Sequence, residues 1–335
     1  MAGQNLITDV AGVRVANAHD ARLGSGVTAI VFDAPAVASV DIRGGGPATR
    51  DTDLLEPGRS VERIDAIALS GGSAFGLDAG SGVQALMRER GRGYAVGTAR
   101  VPIVPGAAIF DLLAAGEKDW GRYPPYRELG YAAAAAAAGS FELGSVGAGM
   151  GATTADLKGG LGSASATTAD GVSVGALAVV NAVGSVVIGG GPSFWAAPFE
   201  RDAEFGGRGM PAPVPADALM PRTKGAARES TTLAVVATDA VLTKAQAERL
   251  AVMAQTGLAR AIYPVHTPLD GDVLFAAATG HKPLADPLRA LSALGAAAAN
   301  TVARAVARAI YEASALPFAG AQASWRDKFT ADRRN

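Results

Sequence analysis

The chain has 335 residues, with 30 Lys and Arg against 31 Asp and Glu, 43 Gly, 18 Pro and no Cys. A net charge of -1 without a basic block excludes an electrostatic nucleic-acid surface and a polybasic membrane tether. Zero Cys excludes disulfides, thiolate nucleophiles and Cys-ligated metal centres. The 49% hydrophobic content is that of a globular protein, not of a disordered chain. The N-terminus lacks the basic region and apolar core of a signal peptide, and no stretch of about 18 residues is apolar enough for a membrane span. A cytoplasmic protein without nucleic-acid or membrane partners is expected.

In chain order, strands are predicted over residues 13–15, 27–33 and 64–69, all rich in Val and Ile and bounded by Gly or Asp. Ser70-Gly-Gly-Ser-Ala-Phe-Gly76 follows. The pattern then predicts a helix over 77–90, with Leu77, Val83, Leu86 and Met87 on one face, Ser73 as N-cap and Gly91 at its end. The Ala run 132–138 amounts to two helical turns between Gly130 and Gly139. A strand is expected over 172–187, interrupted by Asn181 and Gly184. From Gly189 to Ser230, seven Gly and six Pro fall in a stretch without periodicity. It reads as a long surface loop, and loops beyond about 15 residues tend to be functional or cleavable. Order resumes at Thr231. Residues 232–238 read as a buried strand, and Thr243-Lys-Ala-Gln246 is a capping box opening a helix to about residue 259. Residues 262–265 and 273–278 are expected strands, and an Ala-rich helix covers 287–313. Strands and helices cluster without a strict alternation, so the expected class is α+β, layered around one core.

Two textual matches carry little weight. Gly147-Ala-Gly149-Met-Gly-Ala152 has dinucleotide-binding spacing, but the following Thr153-Thr-Ala-Asp-Leu-Lys-Gly-Gly poorly begins the helix such a site needs. Gly171-Val-Ser173-Val-Gly175 has nucleophile-elbow spacing, yet the Ser alternates with Val inside a strand pattern and no His stands out as its base. His19, His266 and His281 lie in unrelated contexts without metal-ligand spacing. Asp270-Gly-Asp272 offers two carboxylates for Ca²⁺ or Mg²⁺, but no further ligand series follows. No cofactor and no metal are expected.

The more informative feature is Arg228-Glu229-Ser230-Thr231-Thr232, where a flexible loop ends and a buried strand begins on a hydroxyl residue. Cleavage of the Ser230–Thr231 bond would make Thr231 a chain terminus fixed by a sheet. Its α-amine, ordinarily with a pKa of about 7.7–8.0, would then serve as general base for its own Oγ. That is how Thr acts as a nucleophile with neither His nor Cys nearby. From the junction alone, a Thr that merely starts a strand is the simpler reading.

Longer stretches carry a resemblance. They are Ser70-Gly-Gly-Ser-Ala-Phe-Gly-Leu-Asp-Ala-Gly-Ser-Gly-Val83, Gly147-Ala-Gly-Met150 followed by Lys158-Gly-Gly, and Val180-Asn181-Ala-Val-Gly184. Thr231-Thr-Leu-Ala-Val-Val-Ala-Thr-Asp239 and His266-Thr-Pro-Leu-Asp-Gly-Asp-Val-Leu-Phe275 complete the set. In this order and spacing, over nearly the whole chain, they resemble the autoprocessing aminopeptidase/D-amidase–esterase family, which includes β-peptidyl aminopeptidases and nylon-oligomer endo-hydrolases. The resemblance implies an αββα four-layer sandwich of the N-terminal-nucleophile-like type. It implies a precursor that cuts itself at Ser230–Thr231 into a large subunit, 1–230, and a small one, 231–335, which together remain one structural domain. Thr231 would be the nucleophile and Lys158 the active-site cation. Asn181 would donate to the oxyanion, and Asp270 and Asp272 would orient the new terminal amine.

The chain departs from the family at three points. Ser230 stands where members commonly carry Asn or Gly, Phe110 where some aminopeptidases place Tyr, and Asp270 and Asp272 where those members use Ser and Glu. The expected protein is a homo-oligomer acting on small peptides or amides, with endo-hydrolysis of nylon-like oligomers as the alternative. An unprocessed binding protein of the same fold and a nucleotide-dependent enzyme are the readings from other classes.

Overall fold

The computed structural model describes residues 3–224 and 230–330; Arg228 and Glu229 of the predicted junction lie outside them. The strands of the first half are β1 (Val13–Asp20), β2 (Ser25–Ile42), β3 (Ala48–Arg50), β4 (Arg63–Ser70), β5 (Tyr94–Val96), β6 (Ala99–Val101) and β7 (Gly106–Ala108). Those of the second half are β8 (Gly160–Thr167), β9 (Ser173–Asn181), β10 (Thr231–Ala240) and β11 (Val273–Lys282). The helices are α1 (Ala79–Glu89), α2 (Tyr126–Ala135), α3 (Lys244–Ala259), α4 (Pro287–Tyr311) and α5 (Trp325–Phe329).

The long strand β2 joins the layers. Its first half pairs with β1 and β4, and its second half with β11. Between them Asp33, Ala34 and Pro35 are exposed, and the register to β4 shifts between Val31 and Ala36. The order β3-β7-β4-β2-β11-β10-β9-β8 is therefore one hydrogen-bonded sheet whose two halves face each other. Ile30, Phe32, Ile67 and Leu69 from one half share a core with Leu177, Val179, Leu233, Val235 and Phe275 from the other. Outside them, α3 and α4 put Leu250, Leu258, Val302 and Val306 against Val180, Val236 and Leu274. On the opposite side α1 and α2 put Val83, Met87, Tyr126 and Ala133 against Val27, Ala29, Ala66 and Ala68. This is the αββα layering that the family resemblance implies. Burial on both faces explains why β10 shows no apolar–polar alternation: every one of its residues is buried.

Local chemistry sets several boundaries. In the capping box of α3, Gln246 N donates to Thr243 Oγ1 at 3.3 Å and Thr243 N donates to Gln246 Oε1 at 2.9 Å. α4 starts at Pro287 behind an Asp286 cap. Although no stretch reads as a span in the sequence, α4 is long and apolar enough to cross a membrane by length and composition, with 67% of its most apolar window buried inside the fold.

Four expectations need correction. Ser73 is no N-cap; it opens a 3₁₀ turn, Ser73–Asp78, behind Gly72, and both residues have positive φ. The strand expected over 262–265 is reduced to a single bridge between Tyr263 and Ser185, because Pro264 has no N–H to continue a ladder. The strand expected over 172–187 ends at Asn181. The Gly- and Pro-rich stretch after Gly189 is not purely surface: Phe194 and Phe205 are buried, and Phe194 stacks on Trp325 of α5 at 5.7 Å. Strand β8, Gly-Leu-Gly-Ser-Ala-Ser-Ala-Thr, has little β propensity. Its small residues instead let α4 approach, since a Cβ on Gly162 would lie 2.0 Å from Ala305 O.

Candidate active site

Antiparallel pairing of β9 and β10 sets Asn181 directly opposite Thr231, so their side chains leave the same face of the sheet. Ser230 continues the ladder one residue upstream by a parallel bridge to Asp270. Its N–H donates to Leu269 O at 3.0 Å, and its carbonyl accepts Gly271 N–H at 2.8 Å. The same carbonyl accepts Thr231 Oγ1 at 2.6 Å. Ser230 and Thr231 are both buried. The hydroxyl therefore lies against the carbonyl of the preceding peptide, whose oxygen already has a backbone donor.

Asp270 and Asp272 flank this peptide and are fully engaged. Asp270 Oδ1 accepts Val183 N–H at 3.1 Å, and its Oδ2 accepts Thr267 N–H and the Thr267 hydroxyl at 3.0 and 2.9 Å. Burial, then the charge of Asp272, pushes the Asp270 carboxyl above its ordinary range. Asp272 Oδ1 accepts Thr232 N–H at 2.7 Å, one residue past the junction. Asp272 Oδ2 accepts the backbone N–H of His266 at 3.1 Å and lies 2.8 Å from its Nδ1. His266 holds this pose with φ 55°, a left-handed conformation uncommon outside glycine. Its role was not read from the sequence, where only its membership of the His266–Phe275 stretch marks it.

The amide of Asn181 is fixed by three partners. Oδ1 accepts Thr153 N–H at 3.0 Å and Lys224 Nζ at 2.9 Å, while Nδ2 donates to Phe110 O at 3.0 Å. The second Nδ2 proton has no partner among the described residues. Phe110 thus contributes its backbone carbonyl to the site. The next residue, Asp111, anchors that carbonyl: its carboxylate accepts Gly72 N–H at 2.7 Å and the Ser25 hydroxyl at 2.6 Å. Desolvation raises the Asp111 pKa, with Lys118 opposing.

Lys158 reaches the site indirectly. Its Nζ donates to the carbonyls of Gly149, Ala152 and Gly159 at 3.1, 2.8 and 2.8 Å, which uses all three ammonium protons. The Ala152 carbonyl belongs to the same peptide unit as the Thr153 N–H, so the cation polarises a peptide that donates to Asn181. Burial lowers the Lys158 pKa from 10.5 to about 7, with Asp111 opposing.

Linkage gives that shift a sign. Between about pH 7 and 10.5 the unfolded chain carries a proton on Lys158 that the fold rejects, so stability rises with pH across this window. Below it the ammonium is present in both states and the burial penalty is at full size. In denaturant unfolding at about pH 6 and about pH 9, the stability of the parent relative to Lys158→Met should therefore be greater at the higher pH. A difference independent of pH would refute the lowered pKa.

Two cavities adjoin these groups. One of 190 Å³ is lined by Gly151, Thr153, Lys158 and Gln322 among others. Another of 540 Å³ lies among Gly46, Pro47, Thr49, Ser73 and Leu269. Gly46 O and Thr231 Oγ1 both approach Gly271 from this side.

The profile of the family described as Peptidase family S58 matches residues 5–323. An uncharacterised aminopeptidase of Mycobacterium tuberculosis is 44% identical, covering 97% of this chain and 98% of its own. A 6-aminohexanoate-oligomer endohydrolase of Kocuria sp. is 31% identical, covering 82% of this chain and 75% of its own. Among solved structures, a Burkholderia sp. beta-aminopeptidase superposes with TM-score 0.72 at 24% identity, over 97% of this chain and 92% of that one. The L-aminopeptidase D-Ala-esterase/amidase of Ochrobactrum anthropi, described as a variant of the Ntn hydrolase fold, superposes with TM-score 0.69 at 22% identity, with the same coverage. The four-layer fold and the matched span together make the chain a member of peptidase family S58, a hydrolase of peptide or amide bonds.

Proposed function

We propose that the chain is a self-cleaving amide hydrolase whose nucleophile is an N-terminal threonine. The observation that carries this is the 2.6 Å approach of Thr231 Oγ1 to Ser230 O, on an oxygen that also accepts Gly271 N–H. Oγ attacks the Ser230 carbonyl carbon, and Gly271 N–H stabilises the charge developing on oxygen. The C–N bond breaks as the hydroxyl proton passes to the Thr231 nitrogen, leaving an ester. The shift frees the Thr231 α-amine, and water then hydrolyses the ester to a Ser230 carboxylate and the regenerated Thr231 hydroxyl. In this reading Asp272, which already accepts Thr232 N–H, orients the chain at the residue next to the new α-amine.

In turnover the neutral amine accepts the Oγ proton as Oγ attacks an amide, and it returns a proton to the leaving amine. In this reading the second N–H of Asn181, across the ladder from Thr231, donates to the oxyanion. Water then releases the acyl group. Fragments 1–230 and 231–335 stay together because β10 and β11 of one pair with β9 and β2 of the other, and both the inner core and the core beneath α3 and α4 mix residues of the two. Terminal sequencing of the purified protein tests the reading: the smaller fragment should begin at Thr231.

One observation favours internal amide bonds over N-terminal residues. Among the described residues, the 540 Å³ cavity has no ionisable side chain in its lining, and the 190 Å³ cavity has only Lys158. Asp111, Asp270 and Asp272 spend their oxygens on internal donors. Among the described residues a substrate ammonium would find no uncommitted carboxylate there, and would enter at a desolvation cost. An N-acetylated short amide should therefore be cleaved at least as fast as its free-amine counterpart in initial-rate assays; strong preference for the free amine would reverse this.

A further inference from the structure

The residue pattern gave Lys224 no role, because it stands in the Gly- and Pro-rich stretch without any local motif. The fold delivers it to Asn181. Its Nζ donates to Asn181 Oδ1 at 2.9 Å and to Asn181 O at 3.1 Å, a two-point grip on one residue. Its own backbone N–H donates to Val183 O at 3.1 Å. Val183 N–H in turn binds Asp270 Oδ1 at 3.1 Å, so the segment carrying Lys224 is tied to the same turn that holds Ser230.

We infer that Lys224 is a positioning residue that polarises the Asn181 amide and locks its orientation for the oxyanion; this rests on the Thr231–Asn181 reading above. An ammonium on the amide oxygen draws electron density from the amide nitrogen and makes the remaining N–H a stronger donor. With Thr153 N–H on the other side of Oδ1 and Phe110 O on Nδ2, the amide cannot flip without losing all three bonds. Lys158 cannot substitute for this contact: its three protons are committed to carbonyls, and it reaches Asn181 only through the 152–153 peptide. Two cations thus act on one amide oxygen, Lys224 directly and Lys158 through a peptide.

The test is a double-mutant cycle in the full-length protein, reading both self-cleavage rate and amide turnover. Lys224→Met should lower kcat about 10-fold or more with KM little changed, because the lost interaction strengthens in the transition state. Lys224→Arg should recover most of the loss by keeping the charge, and melting temperatures should match the parent in both. In an Asn181→Ala background, Lys224→Met should have no further effect on either rate. Full activity of Lys224→Met, equal loss in Met and Arg variants, or losses that multiply in the double variant would each overturn the inference. So would Lys224→Met blocking self-cleavage that Asn181→Ala permits. Thr231→Ala in parallel separates the two claims: if it stays uncut and inactive while Lys224→Met is unimpaired, only the Lys224 inference fails.

Discussion

Thr231→Ala should migrate as one intact chain and hydrolyse amides at less than about one-thousandth of the parent rate, even after long incubation. The loss is large because, among the described residues, no other side-chain hydroxyl lies against the Ser230 carbonyl. There is no Cys. His266 is bound through Nδ1 to Asp272, His281 to Thr279, and His19 faces Gly147 N–H at 3.5 Å, so none of the three pairs with a hydroxyl at the site. The substitution removes one hydrogen bond, to Ser230 O, and leaves the β10 backbone pairing with β9 and β11 intact. Its stability cost is on the order of 1 kcal/mol, so a folded, uncut protein is expected and the melting temperature distinguishes it from a misfolded one. Appreciable turnover by the intact variant would remove Thr231 from the mechanism.

The parts of this site differ in how far they can be read from residues. Thr231 is legible as the start of a buried strand, because a periodicity change and a hydroxyl coincide, whereas its role as nucleophile is what the family resemblance implies; the capping box of α3 and the cap of α4 are local chemistry. Pairing is not local. Nothing in Val180-Asn181 or Thr231-Thr232 says that these residues face each other, because register is fixed by the covering layers on both sides of β9 and β10. The strand β8 escapes because its Gly and Ser residues serve the approach of α4 and not strand propensity. Ser73 misleads for a related reason: it has the side chain of a cap, but Gly72 with φ 82° precedes it and turns the chain before any helix begins. The groups that complete the site are mostly backbone: Gly271 N–H, Thr153 N–H and the Phe110 carbonyl. Every residue carries such groups, so sequence cannot mark them. Lys158 shows the intermediate case, since the family pattern identifies the residue while the fold shows that its charge reaches Asn181 through a peptide.

Gly271→Ala should arrest self-cleavage although it changes no reacting group. The backbone at Gly271 is outside the left-handed region, so Ala is compatible with its conformation. Space is the obstacle. A Cβ there would lie 2.7 Å from Thr231 Oγ1 and 2.7 Å from Gly46 O, with Pro47 Cα at 3.1 Å. Contacts below about 3 Å cannot persist between a methyl carbon and these atoms, because ordinary optimal separations are about 3.5–4.0 Å. The Gly46 carbonyl is backbone, and Gly46 N–H is itself bonded to Asp270 O at 2.9 Å, which resists movement. The softer response is rotation of Thr231 about χ1, carrying Oγ away from the Ser230 carbonyl. A misplacement of about 1 Å at a reacting atom costs on the order of 100-fold in rate. The time course of the two bands should therefore lengthen about 100-fold, while the far-ultraviolet spectrum and unfolding midpoint change little. If the variant matures at the parent rate, the hydroxyl does not attack from the position beside Gly271, and the geometry of the cleavage step has to be redrawn.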